Sequence, residues 1–110
     1  MVRIRLALKE PISVEQNITG TTEDYTAGEE KTKFSVSGAG VIRTVVQGDG
    51  DAACIVRFYV DGTRITENDS PSNEPAEVNC AFSTSLVIKT YAESAGSYKH
   101  STLNIYGWRK

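Results

Sequence analysis

The sequence has 110 residues, of which 39% are hydrophobic and 24% are charged, a composition typical of one small globular domain. Its 12 Lys and Arg residues are outnumbered by 14 Asp and Glu residues, so the net charge of -2 provides no general basic field for binding nucleic acid. No apolar run approaches the roughly 20 residues that cross a bilayer, and the N-terminal residues alternate instead of forming a signal peptide. We therefore expect a soluble domain that binds neither nucleic acid nor membrane.

The chain opens with the alternating pattern of a half-buried β-strand. Val2 and Ile4 are apolar, whereas Arg3 and Arg5 beside them are charged, and the alternation continues to residue 9. An exposed strand of this kind can add to the sheet of a neighbouring molecule, with the arginines fixing its register. We predict that residues 1–9 form an N-terminal arm or edge strand; pairing within its own domain is the alternative.

Further segments that alternate, or that are rich in β-branched residues, follow at short intervals. The predicted strands lie at 12–18, 34–36, 41–47, 54–60, 63–65, 78–82, 85–92 and 98–108. Residues 76–95 lack Gly and Pro and could form a helix, but their β-branched side chains favour two strands. The pattern predicts one all-β domain over residues 1–110, an antiparallel sandwich of about eight or nine short strands.

Two connections between these strands are distinctive. Asp61-Gly62 separates two β-rich segments and predicts a two-residue hairpin, because both positions of such a turn need positive φ. The segment 19–32 is long and polar, with its four carboxylates at Glu23, Asp24, Glu29 and Glu30. Because long loops in small domains are usually functional or mobile, we predict an acidic contact loop at 19–32.

Residues that could carry catalysis or bind a metal are sparse. His100 is the single histidine, and no Gly-x-Ser-x-Gly motif accompanies it. Asp49-Gly50-Asp51 resembles a calcium loop, but the twelfth position holds Val60 instead of Glu. Cys54 and Cys80 are too few for a zinc site; their apolar, alternating surroundings favour buried, reduced thiols, and a disulfide between two strands is the alternative. We expect no catalytic residue, no metal and no cofactor.

Aromatic residues near the C-terminal end are the remaining binding candidates. Tyr106 and Trp108 share one face of a predicted strand, and with Tyr98 they could stack on sugar rings; closing the end of the core is the alternative. Arg109 adds a positive charge there that could meet an acidic partner or simply be solvated.

Two segments carry a resemblance to a known family. In residues 37–46, Ser-Gly-Ala-Gly leads into the apolar strand Val-Ile-Arg-Thr-Val-Val, and residues 57–62 read Arg-Phe-Tyr-Val-Asp-Gly. This combination of strands and turns, together with the chain length, resembles the small β-sandwich decoration proteins (cement or staple proteins) of tailed-bacteriophage capsids, including the staple protein of certain podoviruses.

That resemblance implies a jelly-roll fold, no catalytic residues and a structural role on the virion. The expected partners are the major capsid protein and further copies of this chain, as a homodimer or another symmetric oligomer. The protein would assemble in the host cytoplasm and remain on the capsid exterior. A carbohydrate-binding or receptor-contact module is the alternative. The candidate interface residues are Val2, Arg3, Ile4, Arg5, Tyr106, Trp108 and Arg109.

Overall fold

A computed structural model describes residues 11–110, in which eleven β-strands are connected by short turns. The strands are β1 (Ile12–Ile18), β2 (Thr22–Tyr25), β3 (Glu29–Ser37), β4 (Gly40–Val46), β5 (Cys54–Val60), β6 (Thr63–Arg64), β7 (Ser70–Pro71), β8 (Ala76–Phe82), β9 (Ser85–Ala92), β10 (Gly96–Lys99) and β11 (Leu103–Arg109). One 3₁₀ turn, Thr66–Asn68, lies between β6 and β7. The predicted arm at 1–9, with Val2, Arg3, Ile4 and Arg5, lies outside the described residues. Within residues 11–110, no helix is long and apolar enough to span a membrane.

The strand order is that of a jelly roll. One antiparallel sheet has the order β1-β11-β4-β8 and the other has the order β3-β9-β5-β6. Strand β7 also pairs with β5, at the opposite end from β6, so these two short strands share the fourth place in the second sheet. Each sheet therefore takes its strands alternately from the two halves of the chain, as in an eight-stranded jelly roll. The predicted all-β, antiparallel sandwich of jelly-roll type is confirmed, although residues 11–110 contain eleven strands and not the predicted eight or nine.

Strands β2 and β10 form a small separate pair that connects the ends of the two sheets. Ile18 pairs with Leu103 at the end of β1, and Glu29 pairs with Ala92 at the start of β3. Between these points, β2 pairs with β10 from Thr22 opposite Lys99 onward. Strand β1 thus pairs with β11, β2 with β10 and β3 with β9. Together these pairs form one long antiparallel ribbon of two chain segments.

The predicted acidic loop at 19–32 is therefore wrong, because most of this segment is strand. Each of its carboxylates has a polar partner. The pairs are Glu23 with Lys33, Asp24 with Ser97, Glu29 with Lys31, and Glu30 with both Arg57 and Tyr59. These ion pairs and hydrogen bonds offset part of the repulsion among the carboxylates, so a run of acidic residues is compatible with strands here.

The core lies between the two facing sheets. Strands β4, β5, β9 and β11 each direct alternate apolar side chains inward, as the period-two pattern predicts. The side chains with at most 1% exposure include Ile42, Phe58, Ile88, Leu103 and Ile105. Residues 76–95 form the two strands β8 and β9 and not a helix, as predicted.

The Asp61-Gly62 hairpin has the predicted geometry, and its aspartate also holds a second turn. Both residues have positive φ, 52° for Asp61 and 83° for Gly62. The Asp61 carboxylate accepts hydrogen bonds from the backbone N–H groups of Ser83 (2.9 Å), Thr84 (2.7 Å) and Ser85 (3.2 Å). These bonds lower the pKa of Asp61. The β5–β6 hairpin is thus fastened to the β8–β9 turn.

Asp49 connects the loop before β5 to the segment before β11. Its carboxylate accepts hydrogen bonds from the Thr102 N–H (2.7 Å), the Thr102 hydroxyl (2.7 Å) and the Ser101 hydroxyl (3.1 Å). The backbone N–H of Thr102 is the main cause that lowers the pKa of Asp49 to about 2. In the Asp49-Gly50-Asp51 sequence this aspartate therefore serves as an acceptor for the protein's own donors.

Replacing Asp49 by asparagine is expected to lower the free energy of unfolding by about 1 kcal/mol near pH 7, after discounting for the partial exposure of the carboxylate. A carboxylate whose folded pKa is depressed stabilises the fold above its ordinary pKa of 3.8 and loses this effect as the pH falls through about 2. Urea denaturation of both proteins at several pH values should show the difference shrinking between pH 4 and 2. A difference that is constant across this range would contradict the assignment.

Both cysteines are free and buried, as the sequence predicts. Cys54 lies in β5 and Cys80 in β8, so they belong to opposite sheets. Burial raises the pKa of both thiols. They therefore contribute to the core as small apolar side chains.

Candidate docking surface

The outer face of the β1-β11-β4-β8 sheet carries three large apolar side chains that are open to solvent. Trp108 is 57% exposed, Val41 is 54% exposed and Tyr106 is 41% exposed. Trp108 and Tyr106 are two residues apart on β11, and Val41 is the cross-strand partner of Trp108 on β4. Scattered exposed apolar residues are ordinary, but three that adjoin on one face form a candidate contact surface.

The strand register arranges this face in rows. Trp108 lies between Ser13 on β1 and Val41 on β4, and Ala81 on β8 continues the row. Partners in an antiparallel sheet point to the same side, so these four side chains form a predominantly apolar row across the sheet. Because Ser13 and Ala81 at the ends of the row are small, the Trp108 indole and the Val41 methyl groups are its largest apolar groups.

The adjacent row is polar and is organised by Arg43. The Arg43 guanidinium donates a hydrogen bond to the Tyr106 hydroxyl (3.0 Å) and lies 5.5 Å from the centre of its ring. It also donates to Asn79 Oδ1 (3.2 Å) and lies 3.6 Å from Glu77. These contacts restrain the Tyr106 ring, which reduces the entropy lost when a partner binds. We call Val41, Arg43, Tyr106 and Trp108 the aromatic face.

The outer face of the second sheet is different, because most of its polar side chains pair with one another, although the buried Nε of Arg57 has no hydrogen-bond partner among the described residues. Glu30 accepts hydrogen bonds from the Tyr59 hydroxyl and from Arg57 (3.1 Å), and Lys89 lies 4.0 Å from it. Burial raises the pKa of Glu30, but the bonds from Tyr59 and Arg57 outweigh it and leave this pKa below its ordinary value. Arg57 also stacks on the Tyr91 ring at 3.4 Å. This closed network offers a partner few unsatisfied groups.

The structure brings together only part of the predicted interface. Tyr106 and Trp108 do share an exposed face, whereas Arg109 projects to the opposite side of β11, paired with Ile12 and Gly40. Tyr98 lies on β10 and packs against a different cluster, so it forms no common platform with Tyr106 and Trp108.

Val41 and Arg43 complete the aromatic face and were missed as site residues. Both are exposed positions of a strand that the sequence does predict. The alternation within 41–47 shows that they share a side of β4. It does not show that β4 lies next to β11, since that pairing joins residues about 65 positions apart.

The single histidine is buried in the ribbon and is 1% exposed. Its Nδ1 lies 2.8 Å from the Ser101 carbonyl oxygen, and its Nε2 lies 3.3 Å from the Thr21 hydroxyl and 3.9 Å from Glu23. Both ring nitrogens thus have polar neighbours, which suits a structural role between β2 and β11. Among residues 11–110, no group of three or more His, Cys, Asp or Glu side chains is placed to hold a metal ion.

Comparison of this chain with protein-family models, with curated proteins and with solved structures found no match. The jelly-roll topology and the aromatic face are thus the features from which a function can be inferred.

Proposed function

We propose that this chain is a structural virion protein, a capsid decoration protein that docks on the outside of a phage capsid through the aromatic face. It would stabilise contacts between major capsid subunits. The observation that carries the proposal is the adjoining exposure of Val41, Tyr106 and Trp108 on one sheet. The jelly roll also occurs in viral capsid domains, which agrees with this role as an analogy of fold.

The chemistry of the aromatic face suits a protein partner. Trp and Tyr bury a large area with few rotatable bonds, and such residues often dominate the binding energy of an interface. Arg43, two residues from Val41 on β4, and its ion-pair partner Glu77 would remain at a hydrated rim. Docking of this kind needs no catalytic group.

A repetitive shell suits a protein with one modest contact surface. When copies associate as a homodimer or another symmetric oligomer, the first contact with the shell positions the second, and avidity increases without further contacts. The proposed location is therefore the capsid exterior, with assembly in the host cytoplasm.

Trp108→Ala is expected to weaken capsid binding about 30-fold or more, the effect of losing a central aromatic contact. Because Trp108 is exposed, stability should change by no more than about 0.5 kcal/mol. Co-sedimentation of purified protein with particles that lack it, over a range of concentrations, measures the affinity. Wild-type protein should also be present in native particles at a fixed ratio to the major shell protein.

Tyr91→Ala provides the matched control, because it removes an aromatic ring from the outer face of the opposite sheet. It should bind capsids like the wild type once its folding has been verified by circular dichroism. Equal binding by the Trp108 variant and the wild type would contradict docking through the aromatic face. Absence of the chain from native particles would contradict the decoration role itself.

The alternative function, a carbohydrate-binding or receptor-contact module, loses its original platform because Tyr98 lies apart from Tyr106 and Trp108. The two remaining rings on the aromatic face could still stack on a sugar. Glycan-array binding that disappears in Trp108→Ala, with no capsid binding, would favour this alternative.

A further inference from the structure

A pocket lies at the end of the second sheet, away from the aromatic face, and is a second candidate site. Its volume is about 240 Å³, and it opens between the segment before β5, the end of β9 and strand β10. Apolar side chains line it, among them Ala52 and Ile55, together with two rings, Tyr91 and Tyr98. Pockets for drug-sized ligands usually enclose 300–1,000 Å³, so this one suits a single ring-sized group.

Contacts outside the pocket hold both rings in place. The Tyr98 ring lies 6.2 Å from the ring of buried Tyr25, and its hydroxyl donates to the Ala95 carbonyl oxygen at 3.4 Å. Gly96 leaves room for this ring, since a Cβ there would lie 2.9 Å from the Tyr98 hydroxyl oxygen. Arg57 stacks on Tyr91 at 3.4 Å. A ligand would therefore meet preformed walls and would not have to order them.

The rim adds hydrogen-bonding groups that the fold does not use. Glu93 and Ser94 line the opening, and within residues 11–110 neither side chain has a hydrogen-bond partner. Both are exposed. The pocket thus combines apolar side chains, two aromatic rings, one carboxylate acceptor and one hydroxyl.

This combination favours a neutral, hydroxyl-rich ring over a cation. The Arg57 guanidinium already occupies one face of Tyr91, so that ring is less able to attract a second cation. A pyranose has an apolar C–H face for the aromatic rings and peripheral hydroxyls for Glu93 and Ser94. We infer that this pocket binds one neutral monosaccharide unit, independently of capsid docking.

Titration of ¹⁵N-labelled protein with the methyl glycosides of glucose, galactose, mannose and N-acetylglucosamine tests the inference. At least one glycoside should shift amide signals of residues 52–55 and 91–98, with the millimolar affinity expected for a small open site. Glu93→Ala removes the carboxylate acceptor without disturbing the fold, and it should weaken binding about tenfold or more. Tyr91→Ala should weaken it similarly.

Trp108→Ala is the matched control for this site and should leave the titration unchanged, just as Tyr91→Ala should leave capsid binding unchanged. The docking proposal and the monosaccharide inference can therefore be supported or rejected separately. The inference is overturned if none of the four glycosides shifts these signals at concentrations up to about 50 mM. It is also overturned if the shifts centre on Trp108, or if tetramethylammonium shifts residues 91–98 more strongly than every glycoside.

Discussion

Replacing Phe58 by alanine is expected to lower the free energy of unfolding by about 3–5 kcal/mol, because it removes a large side chain from a closely packed interior. Phe58 has no solvent exposure and lies in the middle of β5, beside Ile88 on the neighbouring strand. Small domains have total stabilities of about 5–15 kcal/mol, so this one change could unfold much of the population. Urea denaturation with linear extrapolation measures the loss.

Two further variants keep this prediction testable if the alanine variant does not fold. Phe58→Leu retains most of the volume and should cost less than Phe58→Ala. Thr63→Ala, at an exposed position of the next strand, should change stability by no more than about 0.5 kcal/mol. Equal urea-denaturation midpoints for the Phe58→Leu and Thr63→Ala variants would contradict the central place of Phe58 in the core.

Gly107→Ala is expected to destabilise the protein by about 3 kcal/mol or more, the upper range for forcing extra atoms into a packed structure. A Cβ on Gly107 would overlap the carbonyl oxygen of Val41 and would lie 2.9 Å from the Cα of Ile42. These are backbone atoms of the adjoining strand, so a rotamer change cannot relieve the overlap. Strands β4 and β11 would have to separate.

Separation of β4 and β11 would also divide the aromatic face, since Val41 and Trp108 lie on these two strands. Gly107→Ala should therefore lose capsid binding together with stability, whereas Trp108→Ala should lose binding alone. Gly28→Ala is the matched glycine control, because a Cβ at Gly28 has no neighbour within 4 Å and only its positive φ of 76° opposes the change. It should cost about 1–2 kcal/mol. A Gly107 variant no less stable than the Gly28 variant would contradict the steric argument.

The sequence predicts the elements of this fold better than their arrangement. Alternation places β5 and β9 at their observed bounds, and Asp61-Gly62 marks its hairpin, because both signals depend on neighbouring residues. The segment 19–32 misleads because it forms strands by pairing with β10 and β9, which lie far along the chain. Local polarity cannot reveal that pairing.

The candidate site shows the same limit. Shared parity correctly joins Tyr106 with Trp108, and the same rule places Arg109 on the opposite side of the strand. Val41 joins them only through the pairing of β4 with β11, which depends on the packing of the whole domain. Tyr98 was grouped with Trp108 by nearness in sequence, but β10 and β11 belong to different sheets.

The place of β11 between β1 and β4 affects the order in which this protein can mature. During translation, both of its neighbours leave the ribosome long before residues 103–109 are available to join them. Until then, among residues 11–110, β1 has no pairing partner and β4 has only β8. A chain interrupted before this strand would carry neither Tyr106 nor Trp108. If the proposed docking through the aromatic face is correct, such incomplete products would not bind a shell and would be left out of assembly.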